Sequence, residues 1–311
     1  MKRLQNRIAE SRFALPVTTL FTLLVCLANG LVEKSLWIQL ALLGVNTLLM
    51  VELNNVNALI RIYSRMVSCS FLVLSSITTF LFPSIEGAVT ALSLIGFYLL
   101  IFRAYQDDTA TGRVFYAFVL IGIGTISFVQ LFYFVPVLWI LLGTLVMTLS
   151  IKTFVASILG LAVPYWFLAG WYVYRHQIDI FLQHFVQLAE FGPIADFSTL
   201  NEHELVTYGF ILLMALTGIF HFLRTSYNDK IRIRMIYECF IAFDLFAFLL
   251  LILQPQLSDM IIRLATVTTA PLIGHYIALT KTRITNVSFV IIVLAAAVIT
   301  AWNLWMQSPL F

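Results

Sequence analysis

The residues of this chain whose types suit chemistry gather in one polar interruption, RHQIDIFLQHFVQLAEFGPIADFSTLNEHE, residues 175–204. It holds Arg175, His184 and His203, and Arg263 stands near the start of a later apolar run that returns to the same side. A guanidinium binds a diphosphate through paired N–H groups, and an imidazole can take a proton from a hydroxyl near neutral pH. These four residues are therefore the candidate catalytic set for transfer at a lipid-linked phosphate. In that reading Arg175 and Arg263 hold the anion and His184 or His203 is the base. Two cations are few for a diphosphate, however, and the loop Glu33–Ser35 is too short for the acidic catalytic loop of membrane glycosyltransferases.

Other polar residues lie inside apolar runs or beside them. Asp244 is the most deeply placed acid, with His275 and His221 nearer a boundary, and the three would approach one level if their helices were neighbours. Polar glue between helices and a proton-coupled or substrate-binding role are the two readings of that trio. Arg61 and Arg65, four apart, would share a face if helical and are candidates for holding a phosphate or lipid headgroup. Asp107 and Asp108 read as a solvated turn. Cys26, Cys69 and Cys239 show no CxxC spacing and read as small buried hydrophobes, so neither metal nor other cofactor is expected.

The elements that must position these groups follow from composition. Of 311 residues, 61% are apolar and 11% are charged, against about 25% charged in a soluble domain. A water-soluble fold is excluded. A bilayer span takes about 17 to 25 mostly apolar residues, and the chain offers about eleven such windows: 14–32, 36–53, 66–82, 86–102, 115–132, 135–151, 154–174, 205–223, 237–253, 259–279 and 287–305. Runs such as IAFDLFAFLLLIL are apolar on every side and lack the period-2 alternation of a barrel strand. The expectation is one all-α, polytopic bundle over residues 1–311.

Charge sets its orientation. With the N-terminus inside, the inner segments carry 15 of the 18 basic residues, and only Lys34, Arg175 and Arg263 fall outside. An eleven-helix, N-in and C-out layout follows. The opening MKRLQNRIAESRF is read as an inner-surface amphipathic segment before an uncleaved first helix, and its positive charges give no reason to expect nucleic acid. Within the outer loop, Ile178, Phe181, Leu182, Phe185, Leu188 and Ala189 form a stripe at helical spacing, which predicts an interfacial helix ended by Gly192 and Pro193.

The runs ELNNVNALIRIYSRM, SFVQLFYFVPVLWILL and TFVASILGLAVPYWFLAGWYVY resemble an uncharacterised family of polytopic inner-membrane proteins from Bacteroidota. The resemblance implies a helical fold in the bacterial cytoplasmic membrane with a periplasmic outer side, and it brings no site residue with it. Three function classes stand open: an enzyme of lipid-linked envelope glycan metabolism, a scaffold or partner subunit for other envelope proteins, and, third, a transporter. Membrane lipids are the expected surroundings in all three.

Overall fold

The computed structural model describes residues 3–307, and among them there is no strand. The helices are α1 (Leu4–Ala9), α2 (Ala14–Ala28), α3 (Trp37–Asn57), α4 (Met66–Ile77), α5 (Ile85–Ile101), α6 (Thr111–Ser127), α7 (Val135–Thr144), α8 (Ile151–Tyr174), α9 (Ile178–Val186), α10 (Glu202–Thr225), α11 (Ile231–Leu253), α12 (Ser258–Leu279) and α13 (Arg283–Met306). Every apolar window of the sequence holds one helix. Seven of them, α3, α5, α8, α10, α11, α12 and α13, are long and apolar enough to cross a membrane once adjoining 3-10 turns are included. By length and composition this is a multi-pass helical membrane protein.

The other four windows hold shorter helices, and for α2, α4 and α7 local chemistry explains the length. At 12 residues α4 reaches about 18 Å, against about 30 Å of bilayer hydrocarbon. It stops where the Thr78 hydroxyl bonds back to the carbonyls of Leu74 and Ser75, and a 3-10 turn over Thr79–Leu81 follows. Helix α7 starts late, behind a 3-10 stretch over Val129–Phe134, with Pro136 in its first turn. Helix α2 gives way to Gly30, whose φ of +82° is open to glycine at little cost.

Helix α12 is the central post. Of its most apolar window 89% is buried, against 22% for α13, and it packs on α4, α5, α10 and α11. Helix α6 lies between α5 and α8. On α8 and α13, large apolar side chains such as Trp166, Phe167, Ile291 and Val298 face outward in bands, which suits hydrocarbon and not water.

Helices α6 and α8 approach closely enough to need glycine. A Cβ on Gly160 would lie 2.4 Å from the Phe115 carbonyl oxygen, and one on Gly122 would lie 2.9 Å from that of Leu161. Gly160→Ala is expected to lower stability by about 1 to 3 kcal/mol, read as a lower melting temperature in detergent. Gly170→Ala, with nothing within 4 Å, should be neutral or slightly stabilising through helix propensity. Equal melts for the two variants would refute the close crossing.

The bundle has two distinct ends. At the basic end Arg232 donates to Asn57 Oδ1 (3.1 Å) and the Phe102 carbonyl (3.0 Å), while Arg103 pairs with Glu52 at 3.7 Å. Helix α1 is tied there by its buried Gln5, which donates to the Ile277 carbonyl (2.8 Å) and the Thr280 hydroxyl (2.6 Å). The other end carries α9.

Candidate functional site

Helix α9 docks through part of its expected stripe. Phe181 and Phe185 lie 6.4 Å and 5.1 Å from the Tyr165 ring of α8, and Leu188 is half-buried. Ile178, Leu182 and Ala189 stay exposed. His184 shares the docked face, its Nε2 lying 3.2 Å from both the Tyr165 hydroxyl and the Thr125 carbonyl oxygen. Burial pushes its pKa down, partly opposed by the Thr125 contact. The same ring nitrogen is thus occupied by scaffold atoms. Arg175, beside α9, is exposed, with its guanidinium 5.4 Å from the Trp171 ring. Beyond α9, Gly192 and Gln254 exchange two hydrogen bonds, of 3.0 Å and 3.3 Å, and Glu204 accepts from the Asn201 backbone N–H at 2.9 Å to start α10.

His203 and Arg263 belong to a different neighbourhood of the same end. The buried His203 ring meets Phe80 edge-on at 5.6 Å, and Phe80 lies 6.0 Å from Tyr208. Tyr208 donates to Asp259 Oδ1 at 3.0 Å, and Asp259 stands one turn before Arg263 on α12 and interacts with it electrostatically. The candidate catalytic set therefore divides in two. Arg175 and His184 sit on the α8–α9 side, and His203 and Arg263 are linked through Phe80, Tyr208 and Asp259.

Arg263 lines a cavity of about 50 Å³ between α2, α3, α4, α5 and α12. At about 10 to 15 Å³ per water this is room for three to five waters. Its walls mix Thr22, Asn29, Gln39, Asn46, Ser76 and Thr79 with apolar residues such as Leu43, Phe71 and Phe82, so polar groups converge there within an apolar bundle. The arginine side chain lies across Gly87, where a Cβ would fall 2.4 Å from its Cδ and Nε. Asn29, Gln39 and Asn46 each donate an amide N–H to a backbone carbonyl, of Thr79 (3.0 Å), Pro83 (2.9 Å) and Ala88 (3.2 Å). After those bonds, Asn29 Oδ1, Asn46 Oδ1 and Arg263 Nη2 remain buried without a protein partner.

Sequence reasoning found Arg263 and missed the amides. A usable signal was present: Gln39 and Asn46 are seven apart, two turns along one face of the apolar helix α3. A larger groove, of about 450 Å³, runs beside Phe132, Trp139, Leu161, Tyr165 and Phe185, but its walls offer hydrocarbon contact and little else.

The buried ionisable groups pair otherwise than the sequence led one to expect. Asp244 is fully buried and accepts from the hydroxyls of Thr268 and Thr269 (2.9 Å for the second), not from an imidazole. His275 Nε2 instead lies 3.1 Å from Asp229 Oδ2, in the α10–α11 connection, and the His221 ring, tilted to that of His275, lies 5.4 Å from it. The register of α11 against α12 sets Asp244 opposite Thr268, about two turns from His275. The expected shared face of Arg61 and Arg65 is also corrected, because residues 58–65 are not helical. Arg61 reaches the Asn228 carbonyl (3.1 Å) and Asp229 (3.7 Å), whereas Arg65 donates to Asn55 Oδ1 at 3.1 Å. Asp107 accepts from the Thr109 backbone and hydroxyl, which holds its carboxyl below the usual range. No group of three potential metal ligands occurs among the described residues, and the cysteines are free and buried. No family model, curated protein or solved structure matches this chain.

Proposed function

We propose that the chain is an eleven-crossing protein of the bacterial cytoplasmic membrane, basic end inside, that serves envelope glycan metabolism by binding a lipid-linked head at its outer face. The observation that carries this reading is the Arg263 cavity. A buried, unpaired guanidinium nitrogen and two buried amide oxygens without partners are costly in a bundle unless something polar occupies the space between them. The cavity lies at the α9 end, which the distribution of basic residues assigns to the outside. The shorter α2, α4, α6 and α7 count as crossings here because neighbouring helices and 3-10 turns satisfy their ends. The test is to purify the full chain in mild detergent and identify co-purifying lipids by mass spectrometry. A phosphorylated lipid with a hydroxyl-bearing head, near one per protein, is the expected result, and none above the level of an unrelated membrane protein would refute the reading.

One observation favours the scaffold alternative. Phe191 (66% exposed) and Ile194 (73% exposed) project from the segment that Gln254 anchors, as an exposed pair at a subunit contact would.

Orientation is testable independently. A reporter fused after Gln177 or Asn201 should be periplasmic and one fused after Asn228 cytoplasmic. Both on one side would overturn the layout.

A further inference from the structure

The unpaired atoms of the Arg263 cavity specify the chemistry of its ligand more narrowly than charge alone. In an amide, oxygen and nitrogen are told apart by their partners. Asn29 and Asn46 each direct the NH2 group to a backbone carbonyl, which only accepts, so the amide atom left unpaired in each is oxygen. The lining atoms left with no partner at all are thus one cationic donor, Arg263 Nη2, and two acceptors, Asn29 Oδ1 and Asn46 Oδ1. Asn29 is 5% and Asn46 2% exposed, so bulk water does not serve these oxygens.

A bare phosphate fits this inventory badly. Its oxygens suit the guanidinium but would face two carbonyl-type oxygens with no proton between them. A neutral sugar supplies hydroxyls for the amides and leaves the guanidinium without an anion. A phosphate with neighbouring free hydroxyls satisfies both. The space that holds three to five waters corresponds to roughly 90 to 150 Å³ of liquid, the scale of a three-carbon polyol and below that of a whole oligosaccharide.

We propose that the Arg263 cavity binds a phosphorylated polyol head of the glycerophosphate type, with its phosphate on Arg263 and its free hydroxyls on Asn29 and Asn46. This rests on the reading above that the cavity takes an envelope lipid head, and it names the part of the head that enters. The same chemistry is available from a lipid, as in phosphatidylglycerol, and from a soluble polyol phosphate.

The test uses the full-length protein in detergent and four probes: short-chain phosphatidylglycerol, phosphatidic acid, galactosyl diacylglycerol and free glycerol 3-phosphate. Phosphatidylglycerol should bind about tenfold or more tighter than phosphatidic acid, which lacks the hydroxyls, and than the galactolipid, which lacks the phosphate. Asn46→Leu should erase the preference over phosphatidic acid, and Arg263→Gln the preference over the galactolipid. If either variant fails to fold, the ranking on the unaltered protein still decides. Glycerol 3-phosphate binding as tightly as the lipid would support the same head chemistry from a soluble source, and weaker binding would assign it to a lipid. Phosphatidic acid binding as tightly as phosphatidylglycerol would overturn the polyol assignment while leaving a lipid-phosphate site in place. Binding of none of the four would overturn this assignment, and the broader reading then stands or falls by the co-purified lipid.

Discussion

Arg263→Ala should abolish binding of the phosphorylated lipid head and any envelope-glycan output that depends on it, at normal protein abundance. Arg175→Ala and His184→Ala should leave both within about twofold. The asymmetry follows from what each side chain already touches. The Arg175 guanidinium is exposed beside Trp171, and the His184 imidazole is held between Tyr165 and Thr125, whereas Arg263 keeps an unpaired Nη2 in a cavity that two unpaired amide oxygens share. A charge-assisted contact in such a place is about twice as strong as a neutral one, so its loss together with the phosphate's only guanidinium in the lining should weaken binding by about 100-fold or more. Arg263→Lys should recover part of this, because an ammonium keeps the charge and lacks the planar fork. The protein should still fold, since removing the side chain deletes a buried unpaired donor, and Asp259, its electrostatic neighbour, is exposed to solvent. Binding and output are measured by lipid mass spectrometry and envelope-glycan profiling. Normal output in Arg263→Ala beside lost output in Arg175→Ala or His184→Ala would move the site to α8 and α9. Normal output in all three would favour the scaffold reading.

How much of this was legible in the sequence depended on whether the deciding interaction was local. Helical windows are local, and each apolar run does hold a helix, although α2, α4 and α7 are shortened where Gly30, Thr78 and Pro136 act on the chain within a turn of themselves. The amphipathic α9 was legible for the same reason. Partners across helices were not. Whether Asp244 meets His275 or Thr268 depends on the sliding register of α11 against α12, which no spacing within either helix determines. Arg61 and Arg65 failed as a pair because a four-residue spacing has meaning only on a helix, and the chain there is a turn. The cavity is the instructive case. Its arginine stood out as a charge in an apolar run, but Asn29, Gln39 and Asn46 become a site only when α2, α3 and α12 are brought together.

The pairing of Asp244 leads to a graded series of effects. Its carboxyl group is fully buried on α11, and it bonds two hydroxyls of α12, so it joins two helices through hydroxyl partners. Interhelical bonds of this kind average about 0.6 kcal/mol in membrane proteins and reach about 1.7 kcal/mol. In Asp244→Asn the amide oxygen can accept from one threonine while the NH2 donates to the other. Thr268 has the carbonyls of Leu264 and Ala265 within 3.3 Å for its own proton, so no group is left stranded. That variant should accumulate normally, melt within about 1 kcal/mol of the parent and keep its envelope output. Asp244→Leu loses both bonds and should be lower by about 1 to 3 kcal/mol. Asp244→Lys sets an ammonium against two hydroxyls at the middle of a long apolar helix, where even a lenient scale assigns about 2.5 to 3.5 kcal/mol for insertion and the packed core adds more. It should fail to accumulate. Immunoblots of membranes read accumulation, detergent melts read stability, and glycan profiling reads the envelope output. An Asp244→Asn protein of normal abundance and melting but without output would show that the charge itself is used, and would transfer the working site from the α9 end to the middle of the bundle.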